Sequence, residues 1–328
     1  MTRFALGVDI GGTKISLTLG NSRGKILAKE VVPTFTGRKA LQGIEAIASV
    51  LEKQKKEFLG RGRIRGIGVG IPGPMDPERG VVQRSPHLSG WQNFPLKSFL
   101  ERRLKLPVFI TNDANAAAVG EQVFGTGRRV RDFVYLTIST GIGGGIILDG
   151  KLLVGASFGA GEVGHTIIVS DGERCGCGRR GCLEAYASGT AIANYMKSQI
   201  RLGRKSKLSL TPNPLPRRGR GKGEGVELNA ETIAQAAKKG DVLSQEAYRR
   251  AGHFLGIGLA NLINVLNPRM LILGGSVMKS SGLLWPSMIR SARAHAWPSL
   301  YAACRIVKTG LRDRVGDLGA LALVFARH

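Results

Sequence analysis

The chain lacks any long run of uncharged apolar residues. A membrane-spanning helix needs about 18 of them, and no stretch of this 328-residue sequence approaches that length. The first residues, MTRFALGVDI, pass directly into a strand-like pattern, without the apolar region and cleavage site of a signal peptide. From these two absences we expect a cytoplasmic protein with no membrane partner.

Cysteine is scarce and unevenly distributed. Only four cysteines are present, and Cys175, Cys177 and Cys182 fall within eight positions, whereas Cys304 is distant. A secreted protein that is held together by disulfides would spread its cysteines along the chain. The clustering therefore favours metal binding over a disulfide framework.

Acidic and aromatic residues are also few. The chain has 23 Asp and Glu against 48 Lys and Arg, a net charge of +25, with 6% aromatic residues. Such a charge is compatible with nucleic-acid binding, but the basic clusters have no interleaved aromatic residues on which bases could stack. A solvated surface is the interpretation we favour, so we expect no nucleic-acid partner, while a general attraction for anionic substrates stays open.

Part of the excess positive charge lies in one segment. Residues 201–225 contain eight basic residues and a single acid, Glu224, among prolines and glycines. A segment of this composition cannot bury a core. We predict a disordered basic insertion at 203–225, in a loop between two helices.

The order of apolar patterns predicts an α/β protein with two similar halves. Each half opens with strands joined by hairpins, and the second half begins at residue 133, with the Gly-rich segment GIGGG as a turn. Strands are predicted at FALGVDI, TKISLTLG, KILAKEVV, IRGIGVGI, PVFIT, DFVYLTIST, IILDG, KLLVG and RMLILGG, and helices near 39–58, 95–104, 114–124, 184–200, 229–239, 242–266 and 316–326.

Two glycine-rich hairpins are candidates for phosphate binding. Glycine lets backbone N–H groups approach an anion closely, and the segment DIGGTK (residues 9–14) is followed by a strand, which excludes a Walker A or Rossmann loop because both open a helix. Taken alone, this segment favours an ordinary tight Gly-Gly hairpin over a phosphate site. The segment STGIGGG (139–145) repeats the arrangement in the second half, so we favour a nucleotide held between two domains.

The segment TNDANAAAVGE places Asn112 and Asp113 between a strand end and a helix start. One interpretation is that Asp113 is a plain helix N-cap, a position that suits Asp well. The other is that Asp113 is a general base that accepts the proton of an attacking hydroxyl group. The residue spacing does not decide between them.

The segment from GEVGH to CGCGRRGCLE contains one histidine and three cysteines at the spacing of a closed zinc site. His165, Cys175, Cys177 and Cys182 form a Cys₃His set, which suits tetrahedral zinc and leaves no position for a water ligand. The alternatives are a disulfide within C-x-C or buried thiols without a metal. A closed set indicates structural zinc.

Together these motifs resemble those of the ROK (repressor, ORF, kinase) family of sugar kinases. The resemblance covers nearly the whole chain and is interrupted only by the basic insertion; it is carried by the segments GVDIGGTK, GIPGP, NDANAAAVGE, GEVGH, CGCGRRGCLEAYASG, NLINVLNPRMLILGG and GDLGALAL. It implies an α/β, two-domain actin/hexokinase/heat-shock-ATPase-like fold with an interdomain cleft. It also implies phosphorylation of a hexose hydroxyl by ATP with Mg²⁺, in glucokinase-like members at the 6-hydroxyl.

The resemblance also implies roles for particular residues. Asp113 resembles the catalytic base, and Asn112, Glu162, His165 and Glu184 the other sugar-binding residues. The residues that resemble the nucleotide-binding positions are Asp9 near magnesium, Gly11, Gly12, Thr13, Lys14, Thr140 and Gly141 in the phosphate cradle, and Gly274 and Gly275 on the adenosine side. We assign residues 1–113 with the C-terminal helix 314–328 to a small domain, and 114–313, with the zinc motif 165–182, to a large domain.

Glucose is the expected substrate, with N-acetylglucosamine, N-acetylmannosamine, mannose and fructose as alternatives. A rival within the family is a sugar-sensing transcriptional regulator, which would carry a DNA-binding helix-turn-helix ahead of Asp9, where the sequence has eight residues. The presence of Asp113 favours catalysis. We expect a homodimer or homotetramer.

Overall fold

The computed structural model describes residues 2–73, 75–82, 88–208 and 228–326. By packing, the chain forms two compact units. The first consists of Met1–Tyr135, Gly144–Gly161 and Val307–His328, and the second of Leu136–Gly143 and Glu162–Ile306.

The first unit contains a five-stranded sheet. Its strands and helices are β1 (Phe4–Ile10), β2 (Lys14–Asn21), β3 (Ile26–Pro33), α1 (Ala40–Glu57), β4 (Ile64–Ile71), the short β5 (Met75–Asp76) and β6 (Val81–Val82), α2 (Leu96–Leu104), β7 (Val108–Asn112) and α3 (Asp113–Phe124). The strand order is β3-β2-β1-β4-β7. The hairpin strands β1, β2 and β3 pair antiparallel, whereas β1, β4 and β7 run parallel. The carboxyl ends of β1 and β7 therefore lie at the same edge of this sheet.

A second five-stranded sheet has the order β10-β9-β8-β11-β12. The other strands and α-helices of the described residues are β8 (Phe133–Ile138), β9 (Ile142–Leu148), β10 (Lys151–Leu153), α4 (Glu184–Ala187), α5 (Gly189–Arg201), α6 (Ala230–Lys238), α7 (Val242–Leu266), β11 (Met270–Gly274), α8 (Trp285–His295), α9 (Pro298–Ala303), β12 (Arg305–Lys308) and α10 (Val315–Phe325). The first three strands of each half pair in the same order, β3-β2-β1 in the first sheet and β10-β9-β8 in the second. This agreement confirms the prediction of two similar halves.

Small residues allow the helices α3 and α10 of the first unit to pack at very short range. A Cβ atom on Gly120 of α3 would lie 2.9 Å from the Cα of Gly319 in α10, and one on Gly68 of β4 would lie 1.8 Å from the carbonyl oxygen of Ala320. Any larger side chain would separate these backbones. The Gly and Ala content of both helices thus fixes α3, and Asp113 at its start, against the sheet.

The other side of this sheet carries the main apolar core of the first unit. Side chains from β1, β2 and β4 pack there with α1 and α2, and fully buried Ile44, Leu51 and Trp91 belong to this cluster. The indole N–H of Trp91 donates to the carbonyl oxygen of Phe35 at 2.8 Å, so the buried ring has its hydrogen bond.

Most predicted elements are confirmed, but two predictions are wrong. The helix predicted at 184–200 is two helices, because Ser188 adopts an extended conformation and caps α5 by accepting the N–H of Ala191. The segment GIGGG is not a turn, since Ile142–Leu148 is strand β9. The sequence interpretation also missed α8, α9 and β12, which lie between two strongly patterned segments.

The glycines of β9 have a packing reason. A Cβ atom on Gly145 would lie 2.6 Å from the carbonyl oxygen of Ala114 and 2.6 Å from the Cβ of Ala118, both in α3. Close approach of a helix, and not a change of chain direction, therefore accounts for this glycine.

The predicted domain limits differ from the compact units. Residues 114–135, which include α3, and residues 144–161 and 307–313 are predicted in the large domain, whereas by packing they belong with the first unit. The division into functional domains stays a prediction. Most of the predicted insertion 203–225, from residue 209 onward, lies outside the described residues. Among the helices that the structure describes, none has the length and apolar character needed to cross a membrane.

Candidate active site

Asn112 and Asp113 lie where β7 ends and α3 begins. The side-chain oxygen of Asn112 accepts the N–H groups of Ala114 at 2.8 Å and Asn115 at 3.3 Å, so Asn112 is the N-cap of α3. Asp113 is the first residue of the helix, and the N–H of Ala114 also lies 2.8 Å from its Oδ1. The N-cap of α3 is therefore Asn112, whereas Asp113 occupies the first helical position.

Asp9 is largely buried and lies near the carboxyl end of β1, which is separated from β7 by β4 in the same sheet. Burial, followed by the negative charges of Asp113 and Asp317, raises the pKa of its carboxyl group from 3.8 to about 7, although Lys29 and Lys14 act in the opposite direction. A Cβ atom on Gly316 would lie 2.0 Å from the Oδ2 of Asp9. The absence of a side chain at Gly316 thus makes room for this carboxylate.

Asp317 and Lys29 are two charged residues beside Asp9 that the sequence interpretation missed. Asp317 is 3% exposed, accepts the hydroxyl of Ser16 at 2.6 Å and pairs with the Lys29 ammonium at 2.5 Å. A lone acid within the apolar helix sequence VGDLGALALVF was the signal for it, because a buried charge needs a partner. Lys29 had no such signal, since its strand alternates between exposed and partly buried residues.

The first predicted phosphate hairpin is a tight turn between β1 and β2. The N–H of Gly11 donates to the carbonyl oxygen of Lys14 at 2.9 Å, and the Thr34 hydroxyl donates to the carbonyl oxygen of Gly11 at 2.8 Å. Gly12, Thr13 and Lys14 are exposed at its tip. The structure thus gives a fixed turn with a lysine beside it, an arrangement compatible with phosphate binding.

The second predicted phosphate hairpin adjoins the predicted adenosine-side loop within the second unit. The Ser139 hydroxyl oxygen accepts the N–H of Ser276 at 3.0 Å, directly after Gly275. Gly275 has a φ of 96°, and a Cβ atom there would lie 2.3 Å from the carbonyl oxygen of Ile138. On the other side of this hairpin, the Thr190 hydroxyl donates to the carbonyl oxygen of Thr140 at 2.8 Å. The fold therefore brings Thr140, Gly141 and Gly275 to one place.

The predicted zinc ligands converge. The potential ligand atoms of His165, Cys175, Cys177 and Cys182 all lie within 4.8 Å of one another. The Sγ atoms of Cys177 and Cys182 are 3.7 Å apart, and the Sγ of Cys175 lies 3.7 Å from the Nδ1 of His165. All three cysteines are free, so no disulfide joins them. With Zn–S bonds of about 2.3 Å, tetrahedral coordination separates two sulfurs by about 3.8 Å, so the set fits zinc.

The thiols of the cluster have different surroundings. Burial raises the pKa of the Cys175 thiol to about 12 and also raises that of Cys182, whereas a hydrogen bond from the backbone N–H of Arg179 lowers that of Cys177. A bound cation favours the thiolate form that a metal ligand must adopt. The two buried thiols would therefore ionise together with metal binding.

The two ring nitrogens of His165 face different groups. Its Nδ1 faces the cysteines, while its Nε2 lies 3.8 Å from the Oε2 of Glu162. A histidine whose Nδ1 binds a metal keeps its proton on Nε2, which then serves as a hydrogen-bond donor. This side of the ring, with Glu162, is the part of the cluster that is free to bind a polar ligand.

Glu184, the first residue of α4, has both carboxylate oxygens engaged. Its Oε2 accepts the N–H of Ile142 at 2.8 Å, and the Sγ of Cys175 lies 3.6 Å from its Oε1. A Cβ atom on Gly141 would lie 2.5 Å from Oε2. The predicted sugar-binding residue therefore also holds the base of the second hairpin, a role that the sequence did not indicate.

Comparison with known proteins gives one family and two kinds of relative. The profile described as "ROK family" matches residues 5–327. A glucokinase from Halalkalibacterium halodurans is 34% identical over 319 residues, which are 97% of this chain and 91% of that protein. A xylose repressor from Caldicellulosiruptor bescii is 33% identical over 322 residues, 98% of this chain and 78% of the repressor.

A solved structure agrees with these relatives. The crystal structure of a ROK family glucokinase from Streptomyces griseus in complex with glucose and AMPPNP has a TM-score of 0.77 and 33% identity, covering 98% of each chain. The predicted fold class, the two-domain α/β fold of actin and hexokinase, is confirmed.

Proposed function

This chain belongs to the ROK family, and from that premise we propose that it is a kinase that transfers a phosphoryl group from ATP to the 6-hydroxyl of glucose. The relatives at 33–38% identity that are named glucokinases support a sugar kinase. The choice of glucose over another hexose or an N-acetylhexosamine is the finer part of the proposal.

The observation that carries the proposal is the position of Asp113. It begins α3 at the carboxyl end of β7, beside the cap residue Asn112, in a fold that holds α3 rigidly against the sheet. Phosphoryl transfer depends mainly on positioning and on charge stabilisation. A carboxylate in a fixed position orients the sugar hydroxyl and accepts its proton as the oxygen attacks the γ-phosphorus.

The neighbouring residues fit the groups that this reaction uses. Burial, together with the nearby negative charges of Asp113 and Asp317, raises the pKa of Asp9 to about 7, and such a gathering of carboxylates suits a hard divalent cation. Asp9 would hold Mg²⁺, which supplies charge neutralisation for the phosphates when bound. The hairpin of Gly11, Gly12, Thr13 and Lys14, and the residues Thr140, Gly141, Gly274 and Gly275, would bind the nucleotide.

Sugar recognition is assigned to Glu162, His165 and Glu184 with Asn112 and Asp113. Zinc held by His165, Cys175, Cys177 and Cys182 would fix the ring of His165, so that its Nε2 donates to a sugar hydroxyl. Zinc at this site would have a structural role only, because the four protein ligands would leave no open coordination position.

A second function is favoured by one specific observation. Regulators of the same family match nearly the whole chain, among them the xylose repressor at 33% identity and the Escherichia coli regulator NagC at 29%. A sugar-responsive regulator would bind the sugar with the same residues and would not release ADP.

An ADP-release assay over a panel of sugars tests the proposal. We expect turnover with ATP and Mg²⁺, ranked with glucose above mannose, fructose, N-acetylglucosamine and N-acetylmannosamine. Turnover with another sugar ranked first would keep the kinase and correct the substrate. Sugar binding by calorimetry without ADP release on any sugar would overturn the kinase and favour the regulator.

A further inference from the structure

The two edges of the sheet in the first unit differ in charge. Asp9 lies one residue before the end of β1, and Asn112 is the last residue of β7, at the carboxyl edge. The opposite edge, where these strands begin, is formed by residues 2–3, the β2–β3 turn 21–25, the loop 58–63 before β4, and residues 105–107 before β7. These segments contain six basic residues and no acidic one: Arg3, Arg23, Lys25, Arg61, Arg63 and Lys105. We call this set, with Leu59, the basic edge.

Backbone contacts place these segments side by side. The N–H of Ser22 donates to the carbonyl oxygen of Arg3 at 2.8 Å, and Phe4 is paired in register with Ile64 at the start of β4. The N–H of Ile67 donates to the carbonyl oxygen of Pro107 at 2.9 Å. Five strands spaced about 4.8 Å apart make an edge of about 20 Å. The six cations therefore lie along one continuous rim.

The positive charge of this rim is not neutralised by its surroundings. All six basic residues are exposed, and within the described part of the chain no carboxylate lies at ion-pair distance from any of them. The nearest acids along the chain are Glu57, at the end of α1, and Glu101, whose carboxylate accepts the N–H of Val108 at 3.2 Å. The rim thus presents a positive field to an anionic partner.

Leu59 is the apolar member of the basic edge. It is 71% exposed and lies between buried Phe58 and Gly60, which has a φ of 80°. The N–H of Arg61 donates to the carbonyl oxygen of Phe58 at 3.1 Å, which closes a turn with Leu59 at its tip. A leucine displayed on a tight turn beside two arginines is unfavourable in water, but it suits the boundary between headgroups and acyl chains.

We propose that the basic edge docks this protein on an anionic phospholipid surface. The six cations would lie over the headgroups, where each adds to the attraction, and Leu59 would enter the interface. The aromatic rings at this edge, Phe4 and Phe58, pack on each other with centroids 4.6 Å apart, so the edge offers no platform for stacking bases. This favours lipid over a single-stranded nucleic acid.

Docking through this edge leaves the candidate active-site residues of the sheet accessible. Strand β1 has seven residues, and at about 3.3 Å per residue it separates Asp9 from the membrane side by about 20 Å. The inference does not rest on the proposed kinase function. If the test below supports it, it would replace the expectation of no membrane partner, which the sequence favoured because residues spread from position 3 to 105 form one surface only in the fold.

Vesicle sedimentation with the full chain tests the proposal. We expect binding to vesicles of phosphatidylcholine with phosphatidylglycerol at low salt, weakening as salt is raised, and none to phosphatidylcholine alone. The triple variant Arg23→Gln, Arg61→Gln, Arg63→Gln should lower the partition coefficient on the order of 100-fold. Leu59→Ser, which keeps every charge, should lower it about tenfold.

Two matched controls separate the basic edge from net charge. The first control removes three exposed cations of the second unit, by Lys238→Gln, Arg290→Gln and Arg293→Gln. The second removes three basic residues of the predicted basic insertion 203–225, by Arg217→Gln, Arg218→Gln and Arg220→Gln. Both should bind within about twofold of the parent chain, with melting temperatures confirming that every variant is folded.

Three results would overturn the proposal. The first is an absence of binding to anionic vesicles. The second is a loss of binding in either control variant as large as that in the triple variant of the basic edge. The third is unaltered vesicle binding in Leu59→Ser, together with preferential binding of duplex DNA that depends on Arg61 and Arg63. The last result would assign the basic edge to nucleic-acid backbone instead.

Discussion

Glu184 accepts the backbone N–H of Ile142 at 2.8 Å. One carboxylate thereby connects the start of α4, directly after the cysteine cluster, with the base of the second glycine hairpin. Its other oxygen lies 3.6 Å from the Sγ of Cys175. A residue that the family resemblance assigns to sugar binding thus also supports the hairpin that is predicted to bind phosphate.

Two substitutions of Glu184 separate these roles. Glu184→Gln retains an acceptor for the Ile142 N–H, whereas Glu184→Ala leaves this group without a partner, at a cost of about 1–3 kcal/mol. We expect a higher KM for sugar in both variants, but a higher KM for ATP and a lower melting temperature only in Glu184→Ala. Equal KM values for ATP in the two variants would show that the Ile142 contact does not support the hairpin.

The cysteine cluster should bind zinc and affect sugar recognition. Elemental analysis should find about one zinc per chain, as a closed Cys₃His set requires, and Cys177→Ser or chelation should raise the KM for sugar far more than that for ATP. Cys304→Ser, outside the cluster, is the matched control and should change neither value. A protein without zinc, or an unaltered sugar KM in Cys177→Ser, would contradict this assignment.

Asp113 and Asn112 should respond differently to substitution. Asp113→Asn removes the proposed base, so kcat should fall on the order of 100-fold or more with nearly unchanged stability. Asn112→Ala removes the N-cap of α3 and should lower the free energy of unfolding by about 1 kcal/mol. Turnover assays and chemical denaturation of both variants measure these two effects. A near-normal kcat in Asp113→Asn would exclude Asp113 as the base.

Gly316 should not tolerate alanine, although alanine usually stabilises a helix relative to glycine by about 1 kcal/mol. The added Cβ would lie 2.0 Å from the Oδ2 of Asp9, so the carboxylate must move. We expect kcat to fall at least about tenfold. Gly282→Ala, whose Cβ would meet no atom within 4 Å, is the control. Wild-type turnover in Gly316→Ala would show that the position of Asp9 is not critical.

Asp9 should make the stability of the metal-free protein depend on pH. Its pKa is raised from 3.8 to about 7 mainly by burial, so folding favours the protonated form. This stabilisation is complete below the ordinary pKa and is lost as the pH rises through about 7. Relative to Asp9→Asn, which cannot ionise, the wild type should therefore lose a few kcal/mol of unfolding free energy between about pH 4 and pH 8.

Denaturant titrations across this pH range, without added Mg²⁺, measure that difference. Ionisable groups distant from Asp9 are common to both proteins and cancel in the comparison. A difference that stays constant with pH would show that Asp9 ionises in the folded protein as it does in the unfolded chain.

The sequence by itself determined the elements with strong local patterns and the motifs with a fixed spacing. Apolar and alternating patterns predicted the hairpin strands β1 to β3, and the spacing of His165 with Cys175, Cys177 and Cys182 predicted a cluster of potential metal ligands, because these residues are close along the chain. The segment 276–308 has no comparable pattern, and its helices α8 and α9 were missed for that reason.

Only the tertiary structure decided which distant residues meet. Asp317 is 308 positions from Asp9 along the chain, yet its charge acts on the same carboxylate, because α10 packs against the sheet through glycines and alanines. The same holds for the basic edge, where Arg3, Arg61 and Lys105 align because β1, β4 and β7 run parallel and begin at one edge. Sequence patterns report the local periodicity of a segment, whereas the pairing of strands and the packing of helices set which charges share one surface.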